Sequence, residues 1–183
     1  DIMEDVKLIM EPAEAGSKLA VEYLQFTKVY NCSFEATAIN DLLTATARDL
    51  QVFGDELGGA GTITVVTELA DGIPSRELDP DKLRMAFFNL CKNAIEALNE
   101  FKTENACLTL RTREDKRLTR IEVIDNGPGM PEEIANNLFT AFKTKKEGGT
   151  GLGLTICKKI IDIHGGNIRC ETGKDGTKFI VEI

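Results

Sequence analysis

The chain has 183 residues, 42% of them hydrophobic, and a formal net charge of −8. This allows a real core in one medium domain plus an appendage, and it excludes non-specific nucleic-acid binding and a polybasic membrane patch, both of which need a basic face. No apolar run approaches the ~20 residues that span a bilayer, and the acidic, mixed start over 1–12 is unlike a signal peptide.

The five cysteines (Cys32, Cys91, Cys107, Cys157 and Cys170) are odd in number and widely spaced, with no CxxC. They read as small buried hydrophobes in a reducing cytoplasm, not as zinc ligands or a disulfide framework. The first residue is Asp1, which reads as a fragment or a processed product.

Residues 1–30 are acidic and helical in period. Ile2, Val6 and Ile9, then Leu19, Tyr23, Leu24 and Phe26, recur at three- and four-residue steps, and Pro12 starts a new helix. This segment is expected to stand apart from a second domain over 31–183. VYNCSFEAT reads as a connector, with Thr37 capping a helix over 38–53 and Asp41 in its first turn. GGAG at 58–61 is a turn. GTITVVTELA alternates and is rich in Val, Ile and Thr, so it predicts a strand. DGIPSRELDP predicts a loop with at most a short edge strand.

The clearest helix spans 81–101. Residues 106–113 and 118–125 predict a hairpin around a charged turn. Pro131 suits the first position of a short helix over 132–138. A Lys- and Gly-rich loop over 140–150 precedes a helix over 151–164, closed by Gly165-Gly166. IRCET and TKFIVEI predict a second hairpin, turned at GKDG. Strands in adjacent pairs, without regular β-α-β alternation, predict an α+β fold: a two-layer sandwich with a mixed, mostly antiparallel sheet and helices on one face.

Three segments carry chemistry. On the 81–101 helix, Leu83, Phe87, Leu90, Ala94 and Leu98 form one apolar stripe, and Phe88, Cys91 and Ile95 a second. Between them Asn89, Asn93 and Glu96 stack at helical steps. A helix apolar on two sides is mostly buried, so this polar seam needs partners. Two readings stand: the amides bond to neighbouring backbone, or they face a ligand. An amide oxygen suits Mg²⁺, a hard cation usually shared with phosphates. Lys92 flanks the seam, either solvated or reaching a phosphate.

In DNGPGM, Asp125 ends an apolar strand, and Gly127 and Gly129 permit positive φ and close backbone approach. A plain turn explains this spacing; so does a partly buried carboxylate seeking a donor such as the adenine amino group, with Met130 against the base. In GGTGLGL, four glycines open a helix, a site for an anion on free N–H groups. Lys143, Lys145 and Lys146 lie just before it. Neither the Walker A nor the dinucleotide pattern is present.

Together these segments resemble the catalytic, ATP-binding domain of sensor histidine kinases, in the superfamily shared with gyrase, heat-shock-90 chaperones and mismatch-repair ATPases. FFNLCKNAIEAL resembles the N box, DNGPGM the G1 box, LFTAF the F box and GGTGLGL the G2 box, over about 37–183. FKTKKEGGTGLGL and GTKFIVEI are similar to the short-lid, nitrogen-regulator-type kinases. The resemblance implies ATP and Mg²⁺, with Asn93 as metal ligand and Asn89 supporting it. It further implies Asp125 on the adenine amino group with Thr177 nearby through water, and Gly127, Gly129 and Met130 shaping the base pocket. Lys92, Lys146 and the backbone from Gly149 through Thr150, Gly151, Leu152 and Gly153 would hold phosphates. Phe142, Thr144 and Leu154 join the nucleotide contacts, and Phe139 and Phe142 anchor the lid.

Hydrolysing relatives carry Glu at the Asn89 position, and so do anti-sigma serine kinases; Asn89 therefore favours transfer to histidine over both. His164 is the sole histidine and is structural in that family. The implied partners are a separate dimerisation domain bearing the acceptor histidine and, indirectly, a response regulator. Residues 13–30 would be the tail of that dimerisation hairpin. No nucleic acid and no direct membrane contact are implied.

Overall fold

The computed structural model describes residues 29–56, 63–115, 118–141 and 150–183, together with Gly16, Ser17, Ala20, Val21, Tyr23, Leu24 and Thr27, which are helical and exposed. The elements are β1 (Glu35–Thr37), α1 (Ile39–Glu56), β2 (Thr64–Glu68), β3 (Arg76–Leu78), α2 (Pro80–Glu100), β4 (Cys107–Asp115), β5 (Leu118–Asp125), α3 (Glu132–Ala135), α4 (Gly153–Ile163), β6 (Asn167–Gly173) and β7 (Gly176–Glu182). The five-stranded sheet has the order β2-β4-β5-β7-β6. β2 joins β4 in parallel, and the other three pairings are antiparallel. The expected mixed, mostly antiparallel sheet is therefore present, with both hairpins.

Period-2 alternation decides which face of this sheet is covered. Leu108 and Leu110 on β4, Ile121 and Val123 on β5, and Phe179 and Val181 on β7 all point inward and are buried. Against them lie Leu43 and Leu50 of α1, Leu83, Phe87, Leu90 and Ile95 of α2, and Ile156, Ile160 and Ile161 of α4, all in one contiguous core. Each such side chain contributes about 1.5–3 kcal/mol on burial. The opposite face carries ion pairs: Arg111–Glu68 at 2.6 Å, Arg120–Glu182 at 2.7 Å and Lys178–Glu171 at 2.8 Å. Exposed pairs of this kind are worth about 0–1 kcal/mol each.

α2 starts where the sequence supplies a cap. Asp79 accepts from the Lys82 N–H at 2.9 Å, and Pro80 occupies the first turn, where its missing N–H costs nothing. The other Asp79 oxygen accepts from the Ser33 N–H at 2.7 Å, which ties the incoming chain to the helix start. α4 ends at Gly165, with φ +70. At Gly166 an added Cβ would lie 2.6 Å from the Glu182 carbonyl, so glycine is needed where helix and last strand meet.

Several local expectations change. The connector VYNCSFEAT contains β1, which pairs antiparallel with β3 in a separate two-stranded sheet. Thr37 lies in that strand and does not cap α1. Its hydroxyl is turned to the carbonyls of Glu35 and Leu78, at 3.0 and 3.2 Å, so it donates where a cap would accept. α1 runs Ile39–Glu56, and α2 starts one residue before the predicted 81–101 span. Pro131 is the residue before α3, with ψ 145, and α3 stops at Ala135, short of the expected 138. α4 begins at Gly153, two residues after the predicted start. The expected turn at 58–61 and the loop over 142–149 lie outside the described residues.

Candidate functional site

The end of β5 places a carboxylate inside the protein. Asp125 shares the inward parity of Ile121 and Val123 and is only 6% exposed. Its Oδ1 accepts two backbone hydrogen bonds, from Gly127 at 2.9 Å and from Thr177 at 3.1 Å. Its Oδ2 accepts none from the described residues. Burial raises the Asp125 pKa above the usual carboxylate range, and the two N–H donors offset part of that rise. With Thr172, Gly173, Gly176 and Thr177, Asp125 lines a depression of ≈ 290 Å³.

The 126–130 turn is pressed against the β6–β7 hairpin so closely that side chains are excluded. At Gly129, with φ +69, a Cβ would sit 1.9 Å from the Gly173 carbonyl oxygen. At Gly176, with φ +128, it would sit 1.9 Å from the Asp125 carbonyl oxygen. Of the two turn glycines, Gly129 uses the left-handed region and Gly127 does not. It is small for another reason: a Cβ there would lie 2.9 Å from Asp125 Oδ1 and 3.6 Å from Leu98 of α2. Asn126 locks the outer side of the turn, accepting from the Cys107 N–H at 2.7 Å and donating to the Asn105 carbonyl at 3.0 Å.

Two contacts set how α2 and α4 lie together. The Asp79 N–H donates to His164 Nε2 at 3.0 Å, and the Cys157 thiol donates to the Ala86 carbonyl at 3.4 Å. Seven residues separate these contacts on either helix, so the two run antiparallel with matched rise. A further four residues, to the first residue of α4, bring Gly153 level with Leu90. The start of α4 therefore lies beside the Asn89 end of the polar seam. Gly151 there has φ +69, and the Leu152 N–H bonds to Thr150 Oγ1 at 3.4 Å.

Asn89, Lys92, Asn93 and Glu96 are half-buried, not enclosed as their flanking stripes suggested. The amides of Asn89 and Asn93 make no hydrogen bond to a described residue, so the backbone-bonded alternative is not what the fold uses. Lys92 pairs with Glu96 at 3.8 Å.

His164 is committed elsewhere. Its Nδ1 lies 2.7 Å from the Ile160 carbonyl and so carries the proton, while Nε2 accepts from Asp79. Its ring also meets Phe34 at 5.2 Å.

The family of histidine kinase-, DNA gyrase B- and HSP90-like ATPases matches residues 78–183, more than half of the chain. The chain belongs to this ATPase family. It is 36% identical over 129 residues to the sensory histidine kinase/phosphatase NtrB of Klebsiella oxytoca, an alignment covering 65% of this chain and 36% of that protein. The catalytic domain of the histidine kinase ThkA superposes with a TM-score of 0.71 at 32% identity, covering 82% of this chain and 95% of that one. A longer ThkA, solved in complex with the response regulator protein TrrA, superposes with a TM-score of 0.75 at 26% identity over 100% of this chain and 51% of that one. The chain thus spans about a third of the curated relative's length.

The ATPase match runs from the end of β3 through β7 and takes in every candidate residue. Asp125, Gly127, Gly129, Met130 and Thr177 meet at one end of the sheet; Asn89, Lys92, Asn93, Thr150, Gly151 and Gly153 flank the α2–α4 seam. Thr177 reaches Asp125 directly through its N–H. Leu152 is 1% exposed and belongs to the core. Leu154 and Phe139 pack on the core from its margin, and Thr155 donates to the Phe139 carbonyl at 3.3 Å. Phe142, Thr144, Lys146 and Gly149 lie outside the described residues. Sequence reasoning missed Thr172, Gly173 and Gly176; the GKDGT turn was their only signal.

Proposed function

We propose that this ATPase-family domain binds ATP with Mg²⁺ and donates the γ-phosphoryl group to a histidine on a separate dimerisation domain, in the cytoplasm. Residues 31–183 would form the catalytic domain and 1–30 the tail of the dimerisation hairpin. The observation that carries this reading is the half-buried Asn89–Asn93 seam, its amides bonded to no described residue, on the helix that packs beside the glycine-opened start of α4.

Each group has a defined task. Asp125 accepts from the adenine amino group; guanine presents an acceptor there and is repelled. The Asn93 amide oxygen, which has no partner among the described residues, fits a hard cation, with Asn89 one turn behind it. Bound there, Mg²⁺ would neutralise charge developing on the phosphates. The N–H groups at Thr150–Gly153 and the Lys92 and Lys146 side chains hold phosphate oxygens. Asn89 is a carboxamide and takes no proton from water, so the pocket disfavours hydrolysis and leaves the phosphoryl group for a protein acceptor. His164 is not that acceptor, since both ring nitrogens are engaged. The relative crystallised with a response regulator suggests the next recipient of the phosphoryl group.

The test is incubation with γ-labelled ATP, with and without a histidine-bearing dimerisation domain of a nitrogen-regulator-type kinase. The chain alone should stay unlabelled, and the added domain should acquire label on histidine. Steady phosphate release without transfer, or binding without either, would overturn the proposal.

A further inference from the structure

We propose that Thr172 of β6 is a positioning residue for adenine recognition, holding the 126–130 turn and the hairpin in the one arrangement that presents the Asp125 carboxylate. The proposal rests on the ATP-binding reading above and adds to it a residue that none of the four motifs contains.

One hydroxyl on β6 has an unusual set of neighbours. Thr172 Oγ1 accepts from the Met130 N–H at 3.0 Å. Its own proton can be donated to the Gly176 carbonyl at 3.4 Å, and it shares a hydrogen bond with Thr177 Oγ1 at 3.3 Å in which either hydroxyl can donate. A hydroxyl can serve as donor and acceptor at once, so this one group links two separate segments. Thr172 and Thr177 face each other across the β6–β7 ladder, and Gly173 faces Gly176 beside them.

From Thr177 the link continues to the carboxylate. The Thr177 N–H donates to Asp125 Oδ1 at 3.1 Å, and the Gly127 N–H donates to the same oxygen at 2.9 Å. Both donors that orient Asp125 therefore belong to segments that Thr172 joins: Thr177 on the hairpin, and Gly127 in the turn that ends at Met130. Backbone contact keeps the turn close but does not fix its height along the hairpin. A Cβ at Gly129 would meet the Gly173 carbonyl oxygen at 1.9 Å, so the turn lies close against the hairpin there, but such a contact is not directional. The Met130–Thr172 hydrogen bond is directional and supplies the missing constraint. The β5–β7 ladder already sets Asp125 opposite Thr177; without the Met130 bond the turn beyond it shifts, the Gly127 donor shifts with it, and Oδ2 loses its fixed direction.

Titrating the whole chain with ATP and with GTP tests this, using the parent, Thr172→Val and Thr172→Ser. Valine keeps the branched shape and suits a strand, so the fold is retained while the hydroxyl is lost. Thr172→Val should bind ATP about three- to ten-fold more weakly, the loss expected for one net hydrogen bond. Its preference for ATP over GTP should shrink as well. Thr172→Ser, which keeps the hydroxyl, should restore both. In the nucleotide-free protein, the Met130 amide should lose hydrogen-exchange protection in the valine variant alone.

Unchanged affinity and preference in Thr172→Val would overturn the proposal, and so would an equal loss of ATP and GTP binding, which marks a merely structural hydroxyl. A parent chain that binds no ATP would instead bring down the functional reading and this inference with it. A parent that binds ATP beside an unaffected valine variant would bring down the inference alone.

Discussion

At the scale of single residues, the decisive group is a carboxylate that the fold has taken out of water. Burial raises the Asp125 pKa, so the folded protein holds this proton more tightly than the unfolded chain does. The sign for stability follows: the group favours the fold in its protonated form, and that contribution is lost as pH rises through the elevated value. Adenine recognition has the opposite requirement, because only the ionised carboxylate is a pure acceptor. ATP affinity should therefore fall on acidification, at a pH above the usual aspartate range. Binding curves across that range should show the inflection in the parent and not in Asp125→Asn, which starts weaker. A parent curve flat through the acid range would contradict the assignment. The glycines make a second residue-scale case. Gly176→Ala forces a Cβ onto the Asp125 carbonyl at φ +128, whereas Gly72→Ala, at φ +74, meets nothing within 4 Å. Urea unfolding should show a loss of about 1–3 kcal/mol from backbone strain at either site, with a further loss from the clash at Gly176 only.

Among the elements, legibility in the sequence tracked length and periodicity. α2 was readable because two apolar stripes repeat over 21 residues, and the two hairpins because their strands run seven to nine residues and flank short charged or glycine-containing turns. β1 and β3 were not readable as a pair. Each has three residues, too few to display a period, and Thr37 finds the Leu78 carbonyl 41 residues away. The polar seam was misjudged for a related reason: a helical wheel shows which residues share a face, but only the position of α4 decides how much of that face stays open. His164 and Asp79 mark the other end of the same helix pair. Removing the imidazole leaves the buried Asp79 N–H without its acceptor, a cost of about 1–3 kcal/mol. His164→Ala should unfold at correspondingly lower urea yet bind ATP with unchanged affinity when folded. Loss of ATP binding in the folded variant would place His164 in the site.

For the molecule as a whole, three segments pointed to a nucleotide site through polar groups or glycines that suit a ligand, and the fourth motif, LFTAF, through the resemblance alone. How they lie relative to one another was not legible, because that depends on register. Gly127 beside Leu98 joins the sheet end to α2, and the contacts 79–164 and 86–157 set α4 against α2. The Thr172 bridge left no trace in the pattern either, since a threonine in a strand is ordinary until its neighbours are known. The account stands or falls on one pocket holding both a base and a metal-bearing phosphate chain. Calorimetric titration of ATP into the parent chain, Asn93→Ala and Asp125→Asn, each with and without Mg²⁺, reads both halves directly. Asn93→Ala should lose the Mg²⁺-dependent part of the affinity and keep the rest, and Asp125→Asn should bind weakly whether or not Mg²⁺ is present. If both variants take up ATP as the parent does, the pocket described here is not the nucleotide site.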